Sequence, residues 1–264
     1  MLTQLNSDKY EVIRNLFPKY YPNLAFIYAV IEKKIKGEVW VDNINNPQAA
    51  LVVYGFYIFI SGKITKKIFD EFYFIIREKI KFLEKMSSNV KASLSLVCPQ
   101  EMMESPVNFE EFGFVSVPRI EYEYKNNSSP SEYKNNSEYD SISIDKDNVS
   151  HCLWYRFIGN IYEGDNAGHH LGYMLWDKQS RCVVSEAHGV VGGDLVEIGT
   201  TTNPSYEKKG FATNICARLI VEAGKKGLRP IWSCNRDNIP SNKTAKRLGM
   251  EVRQEYLFHN IGKK

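Results

Sequence analysis

The sequence predicts an α/β protein, α+β by strict layer rules, whose mixed and mostly antiparallel sheet is flanked by helices. Three observations lead to this prediction. Strand-like apolar runs alternate with amphipathic helical segments along the chain. A helix, a glycine and a strand at 109–124 are echoed at 243–258, and each copy follows a helix set between two strands, which indicates a tandem duplication. Residues 126–140 are rich in Asn and Ser and separate the copies as an exposed linker.

The predicted organisation is therefore a divergent N-terminal half at 1–125, a linker or long loop at 126–141, and a C-terminal half at 142–264. With 264 residues the chain is long enough for one large domain or two ordinary ones. Hydrophobic residues make up 43% and charged residues 25%, which is typical of a soluble globular protein.

Charge and cysteine usage narrow the class of protein. A net charge of +3, with no continuous basic block, predicts no nucleic-acid partner. The five cysteines are scattered and form no C-x-x-C pair, which argues against a disulfide framework and against a zinc site. Residues 1–11 lack a signal-peptide core, and the longest apolar run, 49–60, is too short to cross a bilayer. We expect a cytoplasmic monomer or homodimer with no membrane partner and no metal.

In the first half, apolar spacing predicts helical structure over 3–35, broken near Pro18 and Pro22, and a helix over about 66–85. The remaining predicted elements are strands at 37–42, 49–60 and 91–98, a short helix at 109–113 that ends at Gly113, and a strand at 114–124.

In the second half, the predicted elements are a helix at 151–160, strands at 171–176 and 181–191 joined by a hairpin turn at 178–180, a strand at 195–202, a helix at 211–226, a strand at 230–234, a helix between Asn238 and Gly249, and a strand at 250–258. The loop Pro204–Ala212 joins the strand at 195–202 directly to a helix. A helix start reached through a glycine-containing loop leaves backbone N–H groups without partners, and these form an anion site together with the helix dipole.

The order of elements in the second half, with the loop Tyr206–Ala212 and the motifs Trp232–Ser241 and Ala245–Met250, resembles the GNAT superfamily of acyl-CoA N-acyltransferases. The pattern Trp-x-x-x-x-x-Asn-x-x-Ser followed by Ala-x-x-Leu-Gly looks closest to the bacterial two-half group that includes zwittermicin-resistance-type acetyltransferases. The resemblance covers most of the chain, strongly after about Gly168 and weakly before it. It implies a GNAT fold in the C-terminal half and a degenerate GNAT-like N-terminal half.

The resemblance also implies a reaction, the transfer of an acetyl group from acetyl-CoA to the primary amine of a small molecule through a ternary complex. Glu197 lies where GNAT enzymes often carry the carboxylate that deprotonates the amine. Tyr206 and Ser241 are candidate proton donors for the thiolate that leaves, and the cleft between the halves is the expected acceptor site. The residues implied to bind coenzyme A are Ile198, Gly199 and Thr200 on the strand, Lys208, Lys209, Gly210, Phe211, Ala212 and Thr213 at the loop, and Asn238 and Ser241 beyond it.

Two positions depart from the family pattern. Glu207 stands where the family loop usually has Arg or Gln, and Ala245 where many members have the tyrosine that serves as general acid. These departures keep other functions open: a GNAT-fold module that binds coenzyme A or a metabolite without catalysis, an acyltransferase acting on a longer acyl-CoA or on protein amines, and a structural protein without a ligand. Each implied residue also has a plain structural explanation, such as helix capping for Asn238.

Overall fold

The computed structural model describes residues 2–86, 93–99, 101, 107–125, 130, 138–162 and 168–262. The chain forms two compact units, unit 1 (Met1–Arg119 with Glu255–Lys264) and unit 2 (Ile120–Gln254). Residues 255–264 therefore belong with the first half of the chain, whereas the predicted domain 142–264 keeps them in the second. Most of the predicted linker lies outside the described residues, and its end at Tyr139 and Asp140 is part of a strand. The division into separate domains stays a prediction.

The described residues of unit 1 form five short strands, two α-helices and part of the last strand of the chain. They are β1 (Thr3–Gln4), α1 (Leu24–Ile31), β2 (Glu38–Val41), β3 (Ala49–Tyr54), β4 (Tyr57–Gly62), α2 (Lys66–Met86), β5 (Ser93–Val97) and β12 (Glu251–Gly262), with 3₁₀ turns at Ser7–Leu16 and Phe109–Phe112.

Two predictions for unit 1 need correction. The run 49–60 is a hairpin rather than one strand, because Gly55 takes the left-handed conformation (φ 54°) and Tyr54 pairs back onto Tyr57. The first part of the predicted helical stretch 3–35 is a two-residue strand and a 3₁₀ turn, and only residues 24–31 form an α-helix.

The sheet of unit 1 has the order β1-β2-β3-β4-β5-β12. Among the described strand pairs of this sheet, β4 and β5 alone run parallel, with α2 as the crossover between them. The apolar face of α2 packs on these strands around one core that includes Phe69, Phe72, Ile76, Leu51, Ile58 and Leu96.

Unit 2 repeats this plan. Its elements are β6 (Val115–Glu123, from Ile120), β7 (Tyr139–Ser143), α3 (Tyr155–Ile158), β8 (Leu171–Asp177), β9 (Cys182–Gly192), β10 (Leu195–Thr202), α4 (Phe211–Lys225), β11 (Arg229–Asn235) and α5 (Ile239–Arg247). The sheet order is β6-β11-β10-β9-β8-β7, and β10 and β11 run parallel, with α4 crossing between them. Strands and helices after residue 170 therefore lie where the sequence predicts them.

The predicted helix 151–160 is wrong. Its place is taken by 3₁₀ turns at Val149–His151 and Gly159–Ile161 and by the single turn of α3. The reason is visible in the hydrogen bonds, because the N–H groups of Leu153 and Trp154 donate to the side chain of Glu186 instead of to a helical carbonyl. The predicted fold class, a mixed sheet flanked by helices, is confirmed. Within the described part of the chain, no helix has the length and apolar character needed to cross a membrane.

Candidate active site

The parallel strands β10 and β11 separate after three residue pairs. Leu195, Val196 and Glu197 pair with Arg229, Pro230 and Ile231, and the pairing ends there although β10 continues to Thr202 and β11 to Asn235. On its other side β10 stays paired with β9 through Thr202. A gap therefore opens between β10 and β11, and the backbone of Ile198, Gly199 and Thr200 borders it.

Glu197 lies at the closed end of this gap and is 5% exposed. Its neighbours Val196 and Ile198 belong to the core that contains Ile215 and Leu219 of α4. Because side chains alternate along a strand, Glu197 and Gly199 point to the opposite face of the sheet. A buried carboxylate thus stands beside the gap on the face that α4 leaves free.

The loop after β10 ends in an uncapped helix. Lys208 (φ 62°) and Gly210 (φ 84°) both take the left-handed conformation, and Gly210 is the N-cap of α4 without a side-chain hydrogen bond. The first N–H groups of α4 therefore face the exposed loop 207–210, as an anion site requires. Glu207 is exposed there, and the side chain of Thr213 is buried, so Thr213 offers its backbone to this site.

Tyr206 anchors the loop to the β8–β9 turn. Its hydroxyl donates to Asp177 Oδ2 at 2.8 Å, and Asp177 also accepts the N–H groups of Gln179 and Ser180. The contact with Ser180 Oγ lowers the pKa of Tyr206, but the bonds to Asp177 and Cys182 outweigh it and raise that pKa to about 12. Lys209 Nζ lies 5.3 Å from the centre of the Tyr206 ring. The tyrosine proton is therefore held by a carboxylate.

Asn238 and Ser241 lie at the start of α5. Asn238 is exposed, and its Oδ1 accepts the Ser241 N–H at 3.2 Å as a helix cap. The Ser241 hydroxyl oxygen accepts Trp232 Nε1–H at 3.0 Å and so keeps its own proton to donate. Ala245 is fully buried. Since β10 and β11 run parallel, the loop 203–210 and the start of α5 follow the same edge of the sheet.

Sequence reasoning missed a buried polar network on β9. Glu186 (0% exposed) accepts the N–H groups of Leu153 at 2.7 Å and Trp154 at 2.8 Å. His188 Nε2 lies 3.1 Å from Glu186 Oε1, and His188 Nδ1 lies 3.0 Å from the hydroxyl oxygen of Tyr162. The only signal in the sequence is two ionisable residues two positions apart in an otherwise apolar strand.

Among the described residues, one group has a spacing that would allow a metal ion: the side chains of Cys152, Glu186 and His188, whose possible ligand atoms lie within 4.8 Å of one another. Burial, with Glu186 nearby, raises the pKa of the Cys152 thiol to about 12, so the free thiol keeps its proton. Both Glu186 oxygens already accept backbone N–H groups. We assign no metal to these residues, and the absence of a metal stays a prediction.

A cavity of about 820 Å³ in unit 1 contains none of the predicted site residues. Trp40, Phe74 and Phe82 give it apolar walls, and Glu38, Glu71 and Glu78 are also part of its lining. Glu38 pairs with Lys79, Glu71 accepts the Leu2 N–H, and Glu78 pairs with Lys81. The cavity therefore offers little free charge for recognition.

Comparisons with known proteins identify the family of this chain. The family model for GNAT acetyltransferases matches residues 15–258, and the chain therefore belongs to the GNAT acetyltransferase family. An uncharacterized N-acetyltransferase of Bacillus subtilis (strain 168), YnaD, is 35% identical over 104 residues, which are 38% of this chain and 58% of that protein.

Solved structures show the same fold over nearly the whole chain. A GCN5-related N-acetyltransferase-like protein from Streptococcus suis 89/1591 aligns with a TM-score of 0.69 at 20% identity, covering 97% of this chain and 99% of that one. A tandem GNAT protein from the clavulanic acid biosynthesis pathway aligns with a TM-score of 0.60 at 9% identity, covering 99% and 98%. At these identities the likeness concerns the fold alone.

Proposed function

We propose that the protein transfers an acetyl group from acetyl-CoA to a primary amine of a small molecule, and that it belongs to the narrower group with zwittermicin-resistance-type acetyltransferases. The observation that carries the reaction is the gap between β10 and β11, with a buried carboxylate at its closed end and an uncapped helix start after β10. Membership of the GNAT acetyltransferase family supports acetyl transfer in general.

The acetyl donor supplies a thioester and a pyrophosphate. The backbone N–H groups at Lys208–Thr213 would hold the pyrophosphate, because they stand at the positive end of the α4 dipole. Lys208 and Lys209 are exposed and add positive charge, which offsets the carboxylate of Glu207. Ile198, Gly199 and Thr200 border the gap and would pair with the pantetheine arm, while Asn238 and Ser241 would line its far side.

Acetyl transfer needs an amine that has lost a proton and a donor for the thiolate that leaves. Glu197 accepts the amine proton, directly or through a water molecule. Ser241 is the better proton donor of the two candidates, because the proton of Tyr206 is held by Asp177. Backbone N–H groups beside the gap stabilise the oxyanion of the tetrahedral intermediate.

The base assignment is tested by Glu197→Gln, which keeps the shape of the side chain and removes the base. We expect kcat at pH 8 to fall roughly 100-fold, within the range for losing a general base, with the KM for acetyl-CoA unchanged. Glu251→Gln is the matched control, since the Glu251 side chain is 67% exposed. A wild-type kcat in Glu197→Gln would show that Glu197 is not the base.

A second function, a sensor that binds coenzyme A without catalysis, is favoured by Ala245, which is buried where many relatives carry the acid. Thermal melting with and without acetyl-CoA separates the two, because a ligand that binds the folded state raises the melting temperature. Release of free thiol is then followed with a panel of amines that includes a lysine peptide and a peptide N-terminus. A thermal shift without turnover on any amine supports the sensor, and turnover only on the peptides supports transfer to protein amines.

A further inference from the structure

The indole of Trp154 lies directly over Gly199, the residue beside the gap. A Cβ atom at position 199 would lie 3.2 Å from Trp154 Cζ3, so the glycine makes room for the indole. Gly199 is opposite His188 in the β9–β10 pairing, and the rings of Trp154 and His188 are stacked with centroids 6.4 Å apart. The partly exposed indole therefore covers the face of the sheet to which Glu197 points.

Glu186 holds this indole in place through the backbone. Its carboxylate accepts the N–H groups of both Leu153 and Trp154, although these residues lie in an irregular stretch between a 3₁₀ turn and α3. The Thr200 hydroxyl donates to the backbone carbonyl of Glu186, so a side chain of β10 also contacts β9 at this residue. The position of Trp154 thus depends on a carboxylate 32 residues further along the chain.

His188 lies between Tyr162 and Glu186 in this buried network. The Tyr162 hydroxyl oxygen lies 3.0 Å from the carbonyl oxygen of Leu171 and 3.0 Å from His188 Nδ1. On the other side of the ring, His188 Nε2 lies 3.1 Å from Glu186 Oε1, so the imidazole stands between the tyrosine and the carboxylate.

The surroundings of the pair are fully packed. Tyr162 reaches His188 because Gly172 of β8 leaves space, since a Cβ there would lie 2.2 Å from the Tyr162 hydroxyl oxygen. The Cys152 thiol also lies close to the pair, within 4.8 Å of a side-chain atom of Glu186 and of His188. Glu186 and His188 are 0% and 3% exposed, so the pair acts through the groups that it holds.

We propose that Trp154 is a wall of the acceptor pocket over Gly199, and that Glu186 and His188 are positioning residues that fix the indole there. This proposal rests on the proposed acetyltransferase function for the identity of the pocket. The buried pair itself, and its hold on Trp154, do not depend on that function.

A double-mutant cycle measures the hold on Trp154. With an amine that the wild type acetylates, Trp154→Ala should raise the KM for the amine roughly tenfold, and Glu186→Gln roughly fivefold, because the amide can accept only one of the two N–H groups reliably. In the Trp154→Ala background, Glu186→Gln should change the KM less than about twofold, since residues that act through one another are not additive. A purely structural role would give additive effects.

His188 supplies the conservative comparison. His188→Gln keeps an N–H donor near Nε2 and should keep the KM for the amine within about threefold, whereas His188→Leu removes the donor and should match Glu186→Gln. If Glu186→Gln does not fold, Gly199→Ala displaces the indole from below and leaves the pair intact, and it should raise the same KM. An unchanged KM for the amine in both Gly199→Ala and Trp154→Ala would show that Trp154 does not line the acceptor pocket.

The hold on Trp154 is also measured without any turnover. The indole N–H signal of Trp154, one of four tryptophans, is assigned by nuclear magnetic resonance from its loss in Trp154→Phe. It should shift in Glu186→Gln and His188→Leu and stay in place in His151→Gln, which changes an exposed histidine. An unmoved signal overturns the positioning role even if the enzyme is active. Stoichiometric zinc in the purified protein that is lost in Cys152→Ser would also overturn it, because the pair would then be part of a metal site.

Discussion

The segments β4–α2–β5 of unit 1 and β10–α4–β11 of unit 2 share one plan and differ at three points. In both, two parallel strands pair over three residues and a helix crosses between them. The last paired residue of the first strand is Glu197 in unit 2 and Phe59 in unit 1, and Phe59 is fully buried. The same position therefore carries a carboxylate in one unit and an aromatic core residue in the other.

The second difference is the gap beyond the paired residues. In unit 1 the Tyr21 hydroxyl lies 2.7 Å from the carbonyl oxygen of Ile60 and 2.8 Å from that of Val97, so it bridges β4 and β5 where their pairing ends.

The third difference is the helix start. Ile64 is buried in the short connection before α2, and Thr65 Oγ1 accepts the Ile68 N–H as a cap.

Together these differences show that the fold alone does not make the site. Where unit 2 has a carboxylate, a gap between two strands and an uncapped helix start, unit 1 has a buried phenylalanine, a bridging tyrosine and a capping threonine. Function is added to a fold by such local features. The comparison predicts that substitutions in unit 1 change stability and that equivalent ones in unit 2 change binding or rate.

The largest expected effect is on the stability of unit 1. Phe59→Ala removes a fully buried ring that lies near Tyr21 and Tyr57 and should lower the free energy of unfolding by about 3–5 kcal/mol. Denaturant unfolding measures this change. The KM for acetyl-CoA should stay within about twofold where the variant is folded, and a selective loss of acetyl-CoA binding would break the comparison.

The next effect concerns the buried histidine of unit 1. His259 stacks on Phe109 with centroids 3.7 Å apart, and burial lowers its pKa from 6.5 to about 4. The unfolded chain then binds this proton more tightly, so His259 should cost stability as the pH falls from about 6.5 towards 4, up to about 3 kcal/mol. His259→Gln should flatten that part of the stability profile, whereas His151→Gln should leave it unchanged. Equal profiles of stability against pH for the wild type and both variants would contradict the lowered pKa of His259.

A smaller effect separates the two helix starts. Lys208→Ala with Lys209→Ala should raise the KM for acetyl-CoA about five- to thirtyfold, because two charges beside the pyrophosphate are lost. Lys66→Ala with Lys67→Ala is the matched control at the start of α2 and should leave that KM unchanged. Equal effects of both pairs would mean that general surface charge, and not the α4 start, attracts the donor.

The smallest effect is expected at Tyr21. Tyr21→Phe removes the hydroxyl between Ile60 and Val97 and should lower the free energy of unfolding by about 1–2 kcal/mol. Tyr20→Phe is a suitable control, since Tyr20 is 69% exposed. A Tyr21→Phe variant as stable as the wild type would show that the hydroxyl does not hold the strand ends of unit 1.

Sequence patterns predict those parts of this molecule that are set by local spacing. The strands and helices after residue 170 and the loop before Phe211 follow from alternation, glycines and caps that lie close together in the chain. The hairpin at Gly55 is missed because both of its strands are apolar, and a continuous apolar run hides the turn. The segment 151–160 is missed because the partner of its N–H groups, Glu186, is 32 and 33 residues away.

The candidate site divides in the same way. The sequence points to Glu197 and the anion loop through its family resemblance and the glycine-containing loop before a helix, and their roles stay predictions. It does not locate Trp154, Glu186 or His188, because their contacts depend on the register between β9 and β10 and on how an irregular segment packs over Gly199. The family resemblance implies that Gly199 contacts coenzyme A, which stays a prediction, and the structure adds the close approach of the Trp154 indole.

Coenzyme A binding by the β10–α4–β11 segment alone is tested by a titration that follows backbone amide resonances. With coenzyme A added to the full chain, we expect shifts at residues 198–200 and 208–213, and none at the equivalent residues, 60–62 on β4 and 63–68 around the start of α2. Shifts centred on the residues of unit 1, or no shifts at saturating coenzyme A, would contradict it.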